Sequence, residues 1–371
     1  MSASCVALAG QYVPFGNAAF GALTKVGSRP YCSRCWAVSK HFFHRASSSM
    51  ICTDMRILSL FSGAGGMDLG FRRAGHEIVW ANDLDRDAVE TYRRNLGNHI
   101  VCGDIRDVHM RNLPDAEIVV GGFPCQGFSR ANMLRSAGDE RNTLYREFLR
   151  VIKGKKPDYF VAENVAGILS LDKGRAVLKI LADFRAAGYD VEHKLFNMAD
   201  YGVPQLRRRV IFLGCRRDIP IHLRPGFPAP THAEKPSGKL KPWVTIAQAL
   251  KGIPEPDAQH CLFNHICSKY KVTNRDFTGH RPTNPDRPSP TILARGNGKG
   301  GVCAIHHPSN LRRLSVRESA LVQTFPRSYI FHGALNSMYR QVGNAVPVLF
   351  AAQLGKQFAE IERWLETEKI A

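Results

Sequence analysis

The chain has no apolar run near the ~20 residues needed to cross a bilayer, which argues against a membrane-spanning protein. It is also short of acid. Against 51 Lys and Arg stand 32 Asp and Glu, a formal net charge of +19. That excess favours a polyanionic partner, because each Lys or Arg placed on a phosphate releases condensed counterions. The ten cysteines show no regular framework. This speaks against a disulfide scaffold and for reduced thiols, so a cytoplasmic protein is expected. No internal repeat is present.

Acid is scarcest at the start, where Asp54 is the first acidic residue. Residues 1–54 are rich in Ser, Ala and Gly and are expected to be a dispensable extension. Cys32 and Cys35, followed by His41 and His44, faintly imitate zinc spacing, but the histidine half is too short for a known finger. No metal is expected.

From Met55 the pattern becomes regular. Short buried strands are expected at 56–60, 77–81, 99–102, 118–121 and 159–162. Helical spacings lie between most of them, through Val89, Tyr92 and Leu96, for example, or Leu144, Phe148 and Ile152. Strand–helix alternation of this kind predicts a doubly wound parallel α/β sheet. Segments 191–196 and 210–214, with no long helix between them, predict an antiparallel hairpin at its edge. The pattern dissolves after about residue 217, in a stretch dense in Pro, Lys, Arg and His, and returns near Arg287. Ser315 and Glu318 form a capping-box pattern, and a last helix is expected from about Pro347. The expected divisions are therefore 55–217, 218–286 and 287–371, the last returning to complete the first.

Chemistry-bearing residues cluster at the expected strand ends. Phe61-Ser-Gly63-Ala-Gly65-Gly66 follows the first strand, where such folds bind nucleotide-like ligands. This turn has neither dinucleotide nor P-loop spacing. Asp83 ends the second strand and suits ribose hydroxyls, whereas Asp104 ends the third and suits an adenine amino group. Helix or turn capping is the plainer use of either. Gly121 to Ser129 carries Pro124-Cys125-Gln126 after the fourth strand, and Glu163-Asn164-Val165 ends the fifth. A thiol and a carboxylate from adjacent strand ends can converge on one small heteroaromatic ring. Gln205-Leu-Arg207-Arg-Arg209 opens the edge hairpin, and alternation sends Arg207 and Arg209 to one face.

Together with Arg287 to Ile292 and Gln341 to Pro347, these segments resemble the cytosine-C5 DNA methyltransferases of bacterial modification systems. The likeness covers Arg56 to about Leu213 and Arg287 to the last helix. It implies a Rossmann-like S-adenosylmethionine-dependent sheet, with residues 218–286 as a smaller, irregular target recognition domain. It also implies that the Cys125 thiolate adds to cytosine C6 while Glu163 protonates or hydrogen-bonds N3. The activated C5 then takes the methyl group. Arg209 would clamp the base, with Arg207 and Asn164 supporting. Cofactor contacts would come from Phe61, Gly63, Gly65, Gly66, Asp83, Leu84, Asp104, Ile105, Pro124 and Asn344.

A stacked base cannot reach a thiol in a pocket, so the cytosine in double-stranded DNA would have to flip out. Lys235, Lys239, Lys241, Arg275 and Arg281 are candidate DNA contacts. A monomer is expected, with a cognate restriction endonuclease acting separately. Two other readings stand beside this one. A tRNA methyltransferase shares the motif set, although its usual Cys-Phe-Thr tripeptide is absent here. A catalytically silent DNA-binding regulator would have no need of Cys125, Glu163 and Arg209.

Overall fold

The computed structural model describes residues 55–123, 143–268, 282–294 and 305–370. The first 54 residues, including the two Cys-His pairs, lie outside this set, as do Pro124, Cys125, Arg275 and Arg281.

Apolar runs bounded by glycine or aspartate give the strands of one sheet. These are β1 (Arg56–Leu60), β2 (Glu77–Asp83), β3 (Ile100–Cys102), β4 (Ile118–Gly121), β5 (Tyr159–Val165), β6 (Tyr189–Asn197) and β7 (Arg208–Arg216). Their order is β3-β2-β1-β4-β5-β7-β6. The first five are parallel, whereas β7 runs antiparallel to both β5 and β6. The doubly wound sheet and the antiparallel edge hairpin thus both appear as expected. Strand order reverses between β1 and β4, so a crevice opens at their carboxyl ends, where folds of this kind bind ligands.

Both faces of the sheet are covered, as parallel strands require. One is packed by α1 (Gly66–Arg73), α2 (Arg86–Asn95) and α8 (Val348–Ile370), through Phe71, Tyr92, Phe350 and Phe358. On the other lie α3 (Thr143–Lys155) and α4 (Arg175–Ala186), whose Phe148 and Phe184 pack against Phe160 of β5, the first edge-on and the second tilted. Helices α1 and α8 approach closely because glycine lies at the crossing. A side chain at Gly70 would come within 2.3 Å of the Ala351 Cβ, and one at Gly355 within 2.7 Å of the Ala74 Cβ.

A third apolar cluster joins α5 (Ile246–Leu250), α6 (Val316–Val322) and α7 (Leu335–Asn344). The capping box of α6 is formed, with Ser315 and Glu318 each bonding the other's backbone amide. Helix α5 is tied to the returning chain, since the Ile246 amide donates to the Arg287 carbonyl. Apart from α5, the described part of 218–268 holds only short turns and a two-residue ladder, β8 (His232–Ala233) with β9 (Lys241–Pro242). Helix α7 was not anticipated from the sequence. Among the described residues no helix is long and apolar enough to cross a membrane.

Candidate active site

The glycine turn after β1 is left-handed at three points, Phe61 (φ 56), Gly63 (φ 55) and Gly65 (φ 76). Only glycine adopts such a conformation freely. The glycines differ in what they face. A side chain at Gly63 would meet open space, whereas one at Gly65 would strike Leu96 and Tyr92, and one at Gly66 would strike the Val346 carbonyl. Gly63 is therefore the position where a ligand can approach the backbone. Gly65 and Gly66 are small because protein packs against them.

The Gly63 amide donates to Asp83 Oδ2 at 2.7 Å, and the Asp85 amide to Asp83 Oδ1 at 2.8 Å. Burial raises the Asp83 carboxyl above its ordinary value, with those two amides pulling the other way. Each oxygen keeps a lone pair for a further donor. Leu84 beside it is 67% exposed. Asn82 bridges the ends of β2 and β3 through the carbonyls of Val101 and Gly103. Asp104 caps the turn that follows and pairs with Arg106 at 2.6 Å, which holds its carboxyl below the usual range. Ile105 is buried, and its carbonyl accepts from Arg150 Nη2 of α3 at 2.8 Å. Arg150 also reaches the Val108 carbonyl, so α3 fixes this turn. No motif in the sequence announces that tie.

The second half of the site lies at the ends of β4 and β5. Phe123 is buried against Tyr145 and Phe148. Its carbonyl accepts from Asn164 Nδ2 at 3.0 Å, while Asn164 Oδ1 takes the Val165 amide at 2.8 Å. Buried Asn164 thus holds the chain two residues before Cys125. Glu163 is 8% exposed. Its Oε1 lies 2.7 Å from Arg209 Nε, a close charge contact in which the N–H does not aim along the line, leaving Oε1 without a straight hydrogen bond. A Cβ at Gly122 would come within 3.1 Å of Glu163 Oε2, so glycine lets the loop lie against the carboxylate. Antiparallel pairing sets Val165 opposite Arg209 and Glu163 opposite Ile211, which brings Glu163 and Arg209 to one face.

Arg207 takes no part in that pair. It is fully buried, and its guanidinium donates to the carbonyls of Ile292, Gly343 and Ala345, each at 3.0 Å. Burial depresses it to about 9, and neighbouring Arg209 adds to the effect. Gln205, also buried, accepts from the Ile292 amide and donates to Gln323, whose own amide reaches the carbonyls of Val342 and Ala345. The start of β7, the 289–292 segment and the end of α7 are thereby one hydrogen-bonded unit. Asn344 lies in it with its side chain exposed. Among the described residues no cluster of His, Cys, Asp or Glu could hold a metal ion.

The model of the family described as C-5 cytosine-specific DNA methylase matches residues 55–360. The Type II methyltransferase M.NgoFVII of Neisseria gonorrhoeae is 39% identical over 87% of this chain and 91% of its own length. The Type II methyltransferase M.BspRI of Lysinibacillus sphaericus is 37% identical over 82% of this chain and 81% of its own. The solved Dnmt2 methyltransferase of S. pombe superposes with a TM-score of 0.61 at 20% identity, over 83% of this chain and 98% of that one, and shows the shared fold. Asp83, Glu163 and Asn164 lie at the carboxyl ends of their strands, and the match spans most of the chain. The protein belongs to the C-5 cytosine-specific DNA methylase family and is a DNA (cytosine-5-)-methyltransferase.

Proposed function

We propose that the protein transfers a methyl group from S-adenosylmethionine to C5 of a cytosine flipped out of double-stranded DNA, through a covalent adduct with Cys125. The observation that carries the reading is the contact between buried Glu163 at the end of β5 and half-buried Arg209 at the start of β7, 2.7 Å apart, beside the loop that leads to Cys125. The residues at the β1, β2 and β3 ends fit a nucleoside-bearing cofactor. Gly63 faces open space, Asp83 holds the turn while keeping lone pairs for ribose hydroxyls, and Leu84 offers exposed apolar surface.

The cofactor supplies an electrophilic methyl group, and the chain's own residues prepare the base to receive it. The Cys125 thiolate adds to C6, and Glu163 hydrogen-bonds or protonates N3, so the electrons pushed into the ring collect at C5. Arg209 holds the Glu163 carboxyl group in place and adds positive charge beside the base. Once C5 is methylated, loss of its proton and of Cys125 restores the aromatic ring. Asn164 keeps the loop at the height this addition needs, and Arg207 holds β7 against the returning chain. Asp104, Ile105, Pro124 and Asn344 complete the cofactor side in this reading.

Residues 218–286 are proposed to read a specific short sequence, with exposed Lys235, Lys239 and Lys241 on phosphates or bases. The protein would act as a monomer in the cytoplasm, protecting DNA from a cognate restriction enzyme.

The test is transfer of a labelled methyl group to plasmid DNA and, separately, to bulk tRNA, with Cys125→Ser in parallel and bisulfite sequencing of labelled DNA. Label confined to one short DNA sequence and lost in the variant is the expected result. Label on tRNA alone would reject DNA as the substrate. Cofactor binding with no transfer would indicate a silent DNA-binding module.

A further inference from the structure

Beneath the glycine turn lies a carboxylate that the reaction does not use. Asp68, in the first turn of α1, is fully buried, and among the described residues no Lys or Arg pairs with it. Its two oxygens are held by hydroxyls instead. Oδ1 accepts from Ser59 Oγ and Oδ2 from the Tyr92 hydroxyl, each at 2.7 Å.

A hydroxyl has one proton, so once that proton is committed to Asp68 its oxygen can only accept from the next neighbour. This fixes a direction along both branches. Ser62 Oγ lies 2.9 Å from Ser59 Oγ and 3.1 Å from the Ser59 carbonyl, so its proton goes to Ser59 and, on the shorter contact, to the hydroxyl, while its own oxygen accepts from the Asn82 amide at 3.3 Å. His99 Nε2 lies 3.0 Å from the Tyr92 oxygen and so carries the proton in that contact. Two chains of donors, Ser62 to Ser59 and His99 to Tyr92, therefore end on one carboxylate. Such chains polarise each bond along them, so a change at the end is felt at the start.

The start of the first chain is the cofactor turn. Ser62 is the residue before Gly63, whose amide is clamped by Asp83 and which faces open space. The backbone of Ser62 also bonds the end of β2 and the Gly65 amide. On the far side of the turn the Ala64 carbonyl accepts from the buried Tyr329 hydroxyl at 2.6 Å. Asp68 thus anchors from below the turn that a ligand meets from above.

We infer that Asp68 is a positioning residue for the cofactor. Through the directed chain Ser62–Ser59–Asp68 it sets the conformation in which Gly63 presents its backbone to S-adenosylmethionine. The inference rests on the reading that this turn takes S-adenosylmethionine. An uncharged isostere does not reproduce the arrangement. Asn at this position offers one acceptor and one pair of donors, so one of the two hydroxyls must turn away and reverse its branch.

The experiment measures S-adenosylmethionine affinity of the full chain by calorimetry for the parent, Asp68→Asn, Ser59→Ala and the double variant. Amide exchange across Ser62 to Gly65 without cofactor, melting temperature and affinity for a duplex are followed in parallel. Each single variant is expected to bind cofactor about five- to twentyfold more weakly, with faster exchange in the turn and duplex affinity within about twofold of the parent. The double variant is expected to be no weaker than the poorer single one, because both substitutions break the same chain.

A parent that binds cofactor and variants that bind it equally well would overturn the inference, as would strictly additive losses. Equal loss of duplex binding, cofactor binding and melting temperature would reduce Asp68 to a support of the whole fold and likewise overturn it. A parent that binds no cofactor would sink the cofactor reading itself.

Discussion

Asp68 and Arg207 are both buried ionisable groups held by neutral partners, two hydroxyls in one case and three carbonyls in the other. Burial pushes the Asp68 carboxyl up to about 6 from its ordinary 3.8, with the Ser59 and Tyr92 hydroxyls opposing and Asp83 adding to the rise. His99 and Tyr329 also border this site, the first bonded to Tyr92 and the second to the turn above. A raised acid binds its proton more tightly folded than unfolded, so its ionisation removes stability as pH climbs from 3.8 through about 6. At about 1.4 kcal/mol per unit, that loss is on the order of 3 kcal/mol. Asp68→Asn, which abolishes the titration, should therefore compare better with the parent at pH 8 than at pH 5 in urea unfolding; the reverse trend would contradict the assignment. Arg207→Lys should cost roughly 2–4 kcal/mol by the same measurement, because one ammonium cannot span carbonyls on two separate segments. An unchanged midpoint would mean the three bonds add nothing. These roles were only partly legible beforehand. Arg207 and Asn164 stand out in sequence because they belong to short ordered motifs, but that they hold backbone carbonyls emerges only from the fold. Asp68 left no trace, since an acid in a first helical turn reads as an ordinary partner of the helix dipole.

The strands and helices of the sheet could be read in advance for a physical reason. Parallel strands covered on both faces are continuous apolar runs, and the helices between them carry a clear stripe. Helix α7 was not anticipated although Leu335, Met338 and Val342 have helical spacing, because its Gln341 to Asn344 end stands out in the sequence only as a motif. The β8–β9 ladder is two residues long on each side, too short to leave a period. The described stretch 218–268 resists reading for a related reason, since hydrogen bonds there come from turns and from contacts with remote chain, such as the Ile246 amide to the Arg287 carbonyl. Closer to the site, α1 and α8 meet through Gly70 and Gly355. Gly355→Leu should wedge them apart and lower stability by about 1–3 kcal/mol, the usual cost of overpacking. Cofactor affinity should fall in step, because α1 begins at Gly66, the end of the glycine turn. A variant as stable as the parent would show that the crossing has slack.

At the scale of the molecule, a net charge of +19 makes DNA association a salt-sensitive event. Between 50 and 200 mM salt, affinity for a duplex should fall by about a thousandfold or more, as for six or more neutralised phosphates. A loss below about tenfold would assign the binding to base and shape contacts instead. The order of the elements along the chain has a consequence of another kind. The apolar face of α1 is covered by α8, and the end of α7 is stapled to β7 by Arg207. On the ribosome, at roughly 5–20 residues per second, α1 emerges on the order of tens of seconds before its cover is made. For that interval the nascent chain has α1 without its apolar cover and the glycine turn without the Val346 backbone that packs against Gly66. Synthesis of the last helix is then the step that closes the enzyme, so a chain interrupted before it is an exposed hydrophobic surface, fit for a chaperone or a protease rather than for DNA.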